Sequence, residues 1–295
     1  MAPRRPAIAE TKDFEMTVVT DASLPLAEQK PKPAGARYAR KARGTFAISA
    51  VTLLLLLAAW IAATRYHLTS PLFLPSPTEV ATQTLAIASD GYANGTLLDH
   101  ILASLGRISV ALAFGIGLGV PVGLLMGLNR WARGILSVPI DIYWGLPPLA
   151  YLPLLIIWLG IGESSKILLL SLAAFAPICF AAQAGVRSVP QERINAARSL
   201  GANAWQIFST IVLPSALPEI LTGVRIAIGA TLSTLVAAEL IAAQSGVGYM
   251  IMSAANFLAT DVVFVGLIII AIFACAFTMA MRFLERRLVP WKGKL

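Results

Sequence analysis

Six apolar blocks of about 20 residues each lie between Phe46 and Leu284, and they limit this chain's folds more than any other feature. A block of that length crosses ~30 Å of hydrocarbon as a helix rising ~1.5 Å per residue. Backbone polar groups in lipid must be satisfied within their own segment, so open strands are excluded. A closed barrel would show short alternating segments, which these blocks are not. The balance of residues agrees: 57% are hydrophobic and 13% charged, too few charges to keep the surface of a soluble chain wet. The expected fold is all-α, an integral membrane protein with six transmembrane helices.

The blocks organise the chain. Residues 1–44 mix Pro3, Pro6, Pro25, Pro31 and Pro33 with charges of both signs, and residues 1–36 hold no sustained apolar run. This segment reads as a flexible tail. Residues 45–64 form the first span. It starts too far along the chain for a secretory signal, and no A-x-A cleavage site precedes Arg65, so a retained span is expected. Residues 65–99 are an outer, periplasmic segment in which Pro71, Pro75 and Pro77 introduce a short helix over 78–88. Residues 100–285 hold the other five spans, within 101–128, 135–159, 167–184, 217–242 and 262–284, and residues 286–295 are a second tail. Arg130, Arg133, Arg187, Arg193, Arg198, Arg286 and Arg287 fall on one side with both tails, whereas the other side keeps only Arg65 and Lys166. The positive-inside rule then places both termini in the cytoplasm. The net charge of +8 is thus an orientation signal, and no nucleic-acid partner is expected.

Several features could carry function. Gly115, Gly119, Gly123 and Gly127 recur every four residues, a bare ridge that admits a neighbouring helix closely. Pro147, Pro148 and Pro153 surround Tyr151 in the third span, predicting a broken or widened helix and making Tyr151 a candidate pore residue. Thr231, Ser233, Thr234 and Glu239 in the fifth span are the other candidate pore or gate residues. A carboxylate at membrane depth is costly and marks function by default, while hydroxyls commonly bond back to their own helix. Arg107 is the one outer-half cation of the second span, placed either to meet an anion or to snorkel. His67 and His100 lack metal-ligand spacing, and no catalytic, cofactor or metal residues are assigned. An ion-coupled carrier would need intramembrane acids, yet the spans hold only Asp141, Glu219 and Glu239, all towards their ends.

The polar loop over 185–214 is the most informative region. Pro190 suits a helix start and Gly201 a position just past a helix end. Ala204, Ile207, Phe208 and Ile211 then repeat at helical spacing. Two short helices joined at Gly201 are expected beneath the membrane, with small Ala196 and Ala197 admitting a partner surface. Docking and simple capping of the bundle both fit the spacing.

Asn195-Ala196-Ala197, Gly201 after three intervening residues, and Ile211-Val212-Leu213-Pro214 after nine more resemble the loop signature of ABC importer permeases, with Asn195 where the family has Glu. The stretches 146–153, 160–166 and 235–241 are similar to the sulfonate, nitrate and taurine branch, and 70–75 and 257–263 to the taurine permeases. The resemblance implies a type I importer permease fold with a cytoplasmic coupling helix between helices 4 and 5. Asn195, Ala196, Ala197, Ser199, Gly201, Trp205, Leu213 and Pro214 would then be the residues that couple it to an ATPase. It also implies a homodimer, two ATP-binding subunits and a periplasmic substrate-binding protein, in the bacterial inner membrane. The implied cargo is taurine or a related alkanesulfonate, with nitrate or an aromatic sulfonate as the alternative. The chain has no G-x-x-x-x-G-K-[ST] loop, so ATP and Mg would bind the partner ATPase.

Overall fold

The computed structural model describes residues 34–291, with side chains from residue 48. Of the tail expected over residues 1–44, residues 1–33 lie outside the described residues, as do the last four residues of the chain, and residues 34–44 are helical instead. The chain divides into a unit ending at Leu56 and a second from Leu57 onward. In the first unit the described residues form one helix, the start of α1 (Ala34–Arg65), which begins upstream of the expected first span.

In the second unit α1 ends at Arg65, and the Trp60 indole N–H donates to the Pro75 carbonyl at 3.0 Å and stacks on Phe264. Then follow α2 (Pro77–Asp90), α3 (Leu97–Leu128), α4 (Arg130–Trp144), a 3-10 turn (Pro148–Tyr151), α5 (Leu152–Leu159) and α6 (Glu163–Arg187). Beyond them lie α7 (Gln191–Ser199), α8 (Ala204–Ile207), α9 (Leu213–Ala242), α10 (Val247–Asn256) and α11 (Thr260–Leu288). Reciprocal capping boxes, Ser76 with Glu79 and Thr96 with Asp99, start α2 and α3.

Among the described residues, five helices are long and apolar enough to cross a membrane, and α4 with α5 makes a sixth candidate bent by 93°. The third span is therefore not one straight rod. Pro147 and Pro148 remove backbone donors at the bend, while Pro153 sits in the first turn of α5, where no donor is lost. The fifth span gains length instead: a π-helical turn over Phe208–Val212 joins α8 to α9, so the second short helix expected in the loop runs into the span.

The core centres on α6, which packs against α3 on one side and α9 on the other. The glycine ridge explains the first contact. A Cβ at Gly115 would lie 2.6 Å from the Ala174 Cβ, and one at Gly123 only 2.2 Å from the Cys179 carbonyl oxygen. A Cβ at Gly127 would lie 2.5 Å from the Val186 Cβ. The ridge is thus filled by α6 itself. Ile108, Leu170, Ile178, Leu235, Met250 and Val262 are buried in the largest apolar cluster.

Candidate functional site

Three places gather the chemistry-bearing residues: the α7 loop, the bend between α4 and α5, and a buried ion cluster at the end of the bundle opposite α7.

The loop starts at Pro190, the N-cap of α7, and ends in a double cap. Gly201 stands at φ +82°, its N–H donates to the Arg198 carbonyl at 2.9 Å, and the Ala202 N–H donates to the Ala197 carbonyl at 3.0 Å. This paired arrangement satisfies the orphan carbonyls of the helix end and requires the left-handed backbone that glycine adopts freely. Asn195 and Ala196 are exposed, and the Gln191 amide donates to the Asn195 side chain at 3.2 Å. Ala197 turns the other way and packs against the loop's own core, which contains Val189, Ile207 and Val212. It does not offer an open surface, as its small size had suggested. Leu200, 89% exposed, and Trp205 project from the loop as large apolar side chains. Leu213 and Pro214 form the first turn of α9, and the Ser199 hydroxyl donates back to the Asn195 carbonyl.

At the bend, a recess of about 370 Å³ is lined by Tyr143, Trp144, Pro147, Pro148, Tyr151 and Thr234, among others. Of the five expected pore residues, only Tyr151 and Thr234 meet there. Thr231 is fully buried and donates to the Ala227 carbonyl, and the exposed Ser233 donates to the Gly229 carbonyl.

Glu239 has a different fate again. It is 1% exposed and enclosed within the bundle, so it does not line an open pore wall. Arg107 Nη1 donates to it at 2.5 Å, the Ser104 hydroxyl at 2.8 Å and the Gly248 N–H at 2.8 Å. Arg107 also forks onto Glu163, through Nε at 2.5 Å and Nη2 at 2.9 Å, and Lys166 reaches the same carboxylate at 2.8 Å. The remaining Arg107 donors go to the carbonyl and hydroxyl of Ser245. All five guanidinium N–H groups are therefore used, which excludes snorkelling as its role. His100 extends the cluster: its Nε2 faces the Tyr92 carbonyl at 2.8 Å, so that nitrogen donates and Nδ1 accepts from the Gly246 N–H at 3.1 Å. The Val247 N–H donates to Ser104 at 2.9 Å. The cluster thus fastens the start of α10 to α3, α6 and α9. Gly246, at φ +121°, fits because a Cβ would lie 2.5 Å from Glu239 Oε1.

These elements coincide with a known family. Residues 115–290, more than half of the chain, match the family described as "Binding-protein-dependent transport system inner membrane component". The chain belongs to that family. It is a multi-pass protein of the bacterial inner membrane and a permease component of an ABC system, which works with an ATPase and a binding protein. It is 53% identical to the taurine transport system permease protein TauC of Escherichia coli K12, over 84% of this chain and 90% of the relative. It is 37% identical to the putative aliphatic sulfonates transport permease protein SsuC of the same organism, over 80% of this chain and 88% of that one. The nitrate import permease protein NrtB of Synechocystis is 31% identical over 75% of this chain and 82% of its own length. Among solved structures, the inward-facing MetNI methionine ABC transporter has a chain that superposes with a TM-score of 0.58 at 22% identity. That match covers 65% of this chain and 95% of its own. At that identity the likeness establishes the importer permease fold alone.

Sequence reasoning about the permease missed most of the ion cluster. Ser104, Arg107, Glu163 and Glu239 come from three helices and are separated by tens of residues, so no local motif joins them. The available signals were Glu239, a carboxylate too deep to be left alone, and Arg107, a cation in the outer half of the second span. α10 also escaped notice: it lies between the spans expected over 217–242 and 262–284 and, at 10 residues, is too short to cross a membrane.

Proposed function

We propose that this chain forms half of the pore of an ATP-driven importer for taurine or a related alkanesulfonate. Two copies would form the pore, with two ATP-binding subunits against the α7 loop and a periplasmic binding protein at the opposite end. Both termini would lie in the cytoplasm, in keeping with the arginines around α7. The observation that supports the mechanism is continuity: α8, which presents Trp205 just past the Gly201 turn, leads through a π-turn into α9 without a break. A displacement of the loop by a closing ATPase pair therefore reaches the far end of the bundle through one helix. ATP and Mg would be held by the partner, and no residue of this chain is assigned to hydrolysis. The cargo assignment is supported by the relatives for taurine and aliphatic sulfonates, with nitrate as the alternative drawn from NrtB.

The test is co-expression with the cognate ATPase and binding protein, purification, and reconstitution into proteoliposomes. Taurine uptake should require ATP and the binding protein, and taurine-loaded binding protein should stimulate hydrolysis. ATP-driven uptake of nitrate but not taurine would transfer the assignment to the alternative. Failure of the ATPase to co-purify would overturn the coupling assignment.

A further inference from the structure

The recess at the bend lies at mid-depth. Thr234 precedes the end of α9 at Ala242 by eight residues and Ala173 follows the start of α6 at Glu163 by ten, which puts the recess about 12–15 Å below that end of the bundle. Broken helices at this depth are tolerated where they line a cavity, and transported solutes are held at such breaks. Its volume is in the range of small-molecule sites.

Its chemistry is specific. None of the lining residues is charged. The cations of the far-end cluster cannot serve it, because Arg107 and Lys166 are already bound to Glu163 and Glu239. A net anion in this recess would sit in a low-dielectric region without a counter-charge, which is costly. A zwitterion brings its own. The aromatic faces of Tyr143, Trp144 and Tyr151 suit an ammonium group. Thr234 gives its proton to the Ala230 carbonyl at 2.9 Å and Tyr143 gives its own to the Leu172 carbonyl at 3.4 Å, so both hydroxyls offer lone pairs to a cation. The Tyr151 hydroxyl is then the donor available for an acidic oxygen.

We infer that the recess at the α4–α5 bend is a transmembrane contact site for an amino-sulfonate zwitterion, recognised as a neutral whole rather than as an anion. This rests on the cargo assignment above and deepens it. It predicts discrimination inside the membrane between taurine and a sulfonate of the same size that lacks the ammonium group.

The permease–ATPase complex in nanodiscs, without binding protein, tests the site directly with labelled taurine in nucleotide-free and ATP-bound states. Label should bind in at least one state and be displaced by unlabelled taurine about tenfold better than by ethanesulfonate. Trp144→Leu should weaken binding about fivefold and erase most of that preference, and Tyr151→Phe should weaken both ligands alike. No binding in either state would overturn the site, as would an unchanged preference in Trp144→Leu. Loss of the assembled complex in both variants would also overturn it, assigning the recess to contact between two copies. Parallel uptake measurements separate the two levels of inference. Taurine uptake with no membrane site leaves the importer assignment standing, whereas nitrate uptake in place of taurine removes both.

Discussion

At the scale of single residues, two kinds of close contact hold this permease, and they respond differently to substitution. Glu239 and Arg107 are 1% and 3% exposed and paired: without Arg107 the buried Glu239 has no cation, whereas without Glu239 the guanidinium keeps Glu163 but leaves one buried N–H unsatisfied. Glu239→Gln should lower stability by about 1–3 kcal/mol, read as a fall in the thermal midpoint of the detergent-solubilised protein. Glu163→Gln should cost clearly less, because that carboxylate is 56% exposed and water can replace part of what it loses. The glycine ridge makes a contrasting prediction. Gly123→Ala forces a methyl into the Cys179 carbonyl and should destabilise, whereas Gly106→Ala and Gly117→Ala meet nothing within 4 Å. Those two should be neutral or stabilising by roughly 0.5–1 kcal/mol, the usual gain of alanine over glycine within a helix. The ridge was legible in the sequence because a spacing of four is a local pattern. The ion cluster was not, because it exists only once three helices are packed.

At the scale of elements, the α7 loop was legible in its caps and misjudged in its surface. Pro190 and Gly201 stand where helix-end chemistry puts them, but Ala197 faces inward and Leu200 outward, a distinction set by packing against Val189 and Ile207. The docking surface is therefore better tested at Leu200. Leu200→Ser should leave membrane insertion intact and reduce co-purification of the ATPase by about tenfold, in the range of a lost apolar anchor. Gly201→Ala tests the cap instead and should cost about 1–2 kcal/mol through its left-handed backbone. Three prolines foretold a broken third span. Its 93° angle was beyond sequence reasoning, because an angle depends on what fills the inside of the bend.

At the scale of the whole molecule, the parts form one mechanical path. The loop that leads into α9 carries the exposed anchors, the middle of α9 contributes Thr234 to the recess, and its far end carries Glu239 in the ion cluster. A variant that loosens the far-end cluster without displacing the loop should keep its ATPase bound. Arg107→Lys is such a change, because it retains charge and loses the fork. We expect it to co-purify with the ATPase normally while taurine-stimulated uptake falls more than hydrolysis does, measured side by side in the same proteoliposomes.

The far-end cluster has an electrical consequence. Arg107 and Lys166 contribute two positive charges, Glu163 and Glu239 two negative ones, and the four sit together. Carrying one unbalanced charge across the membrane voltage is worth about 2.3 kcal/mol per 100 mV. A cluster whose charges cancel can shift through that field at no such cost. Motion of this end of the bundle therefore adds no voltage dependence of its own.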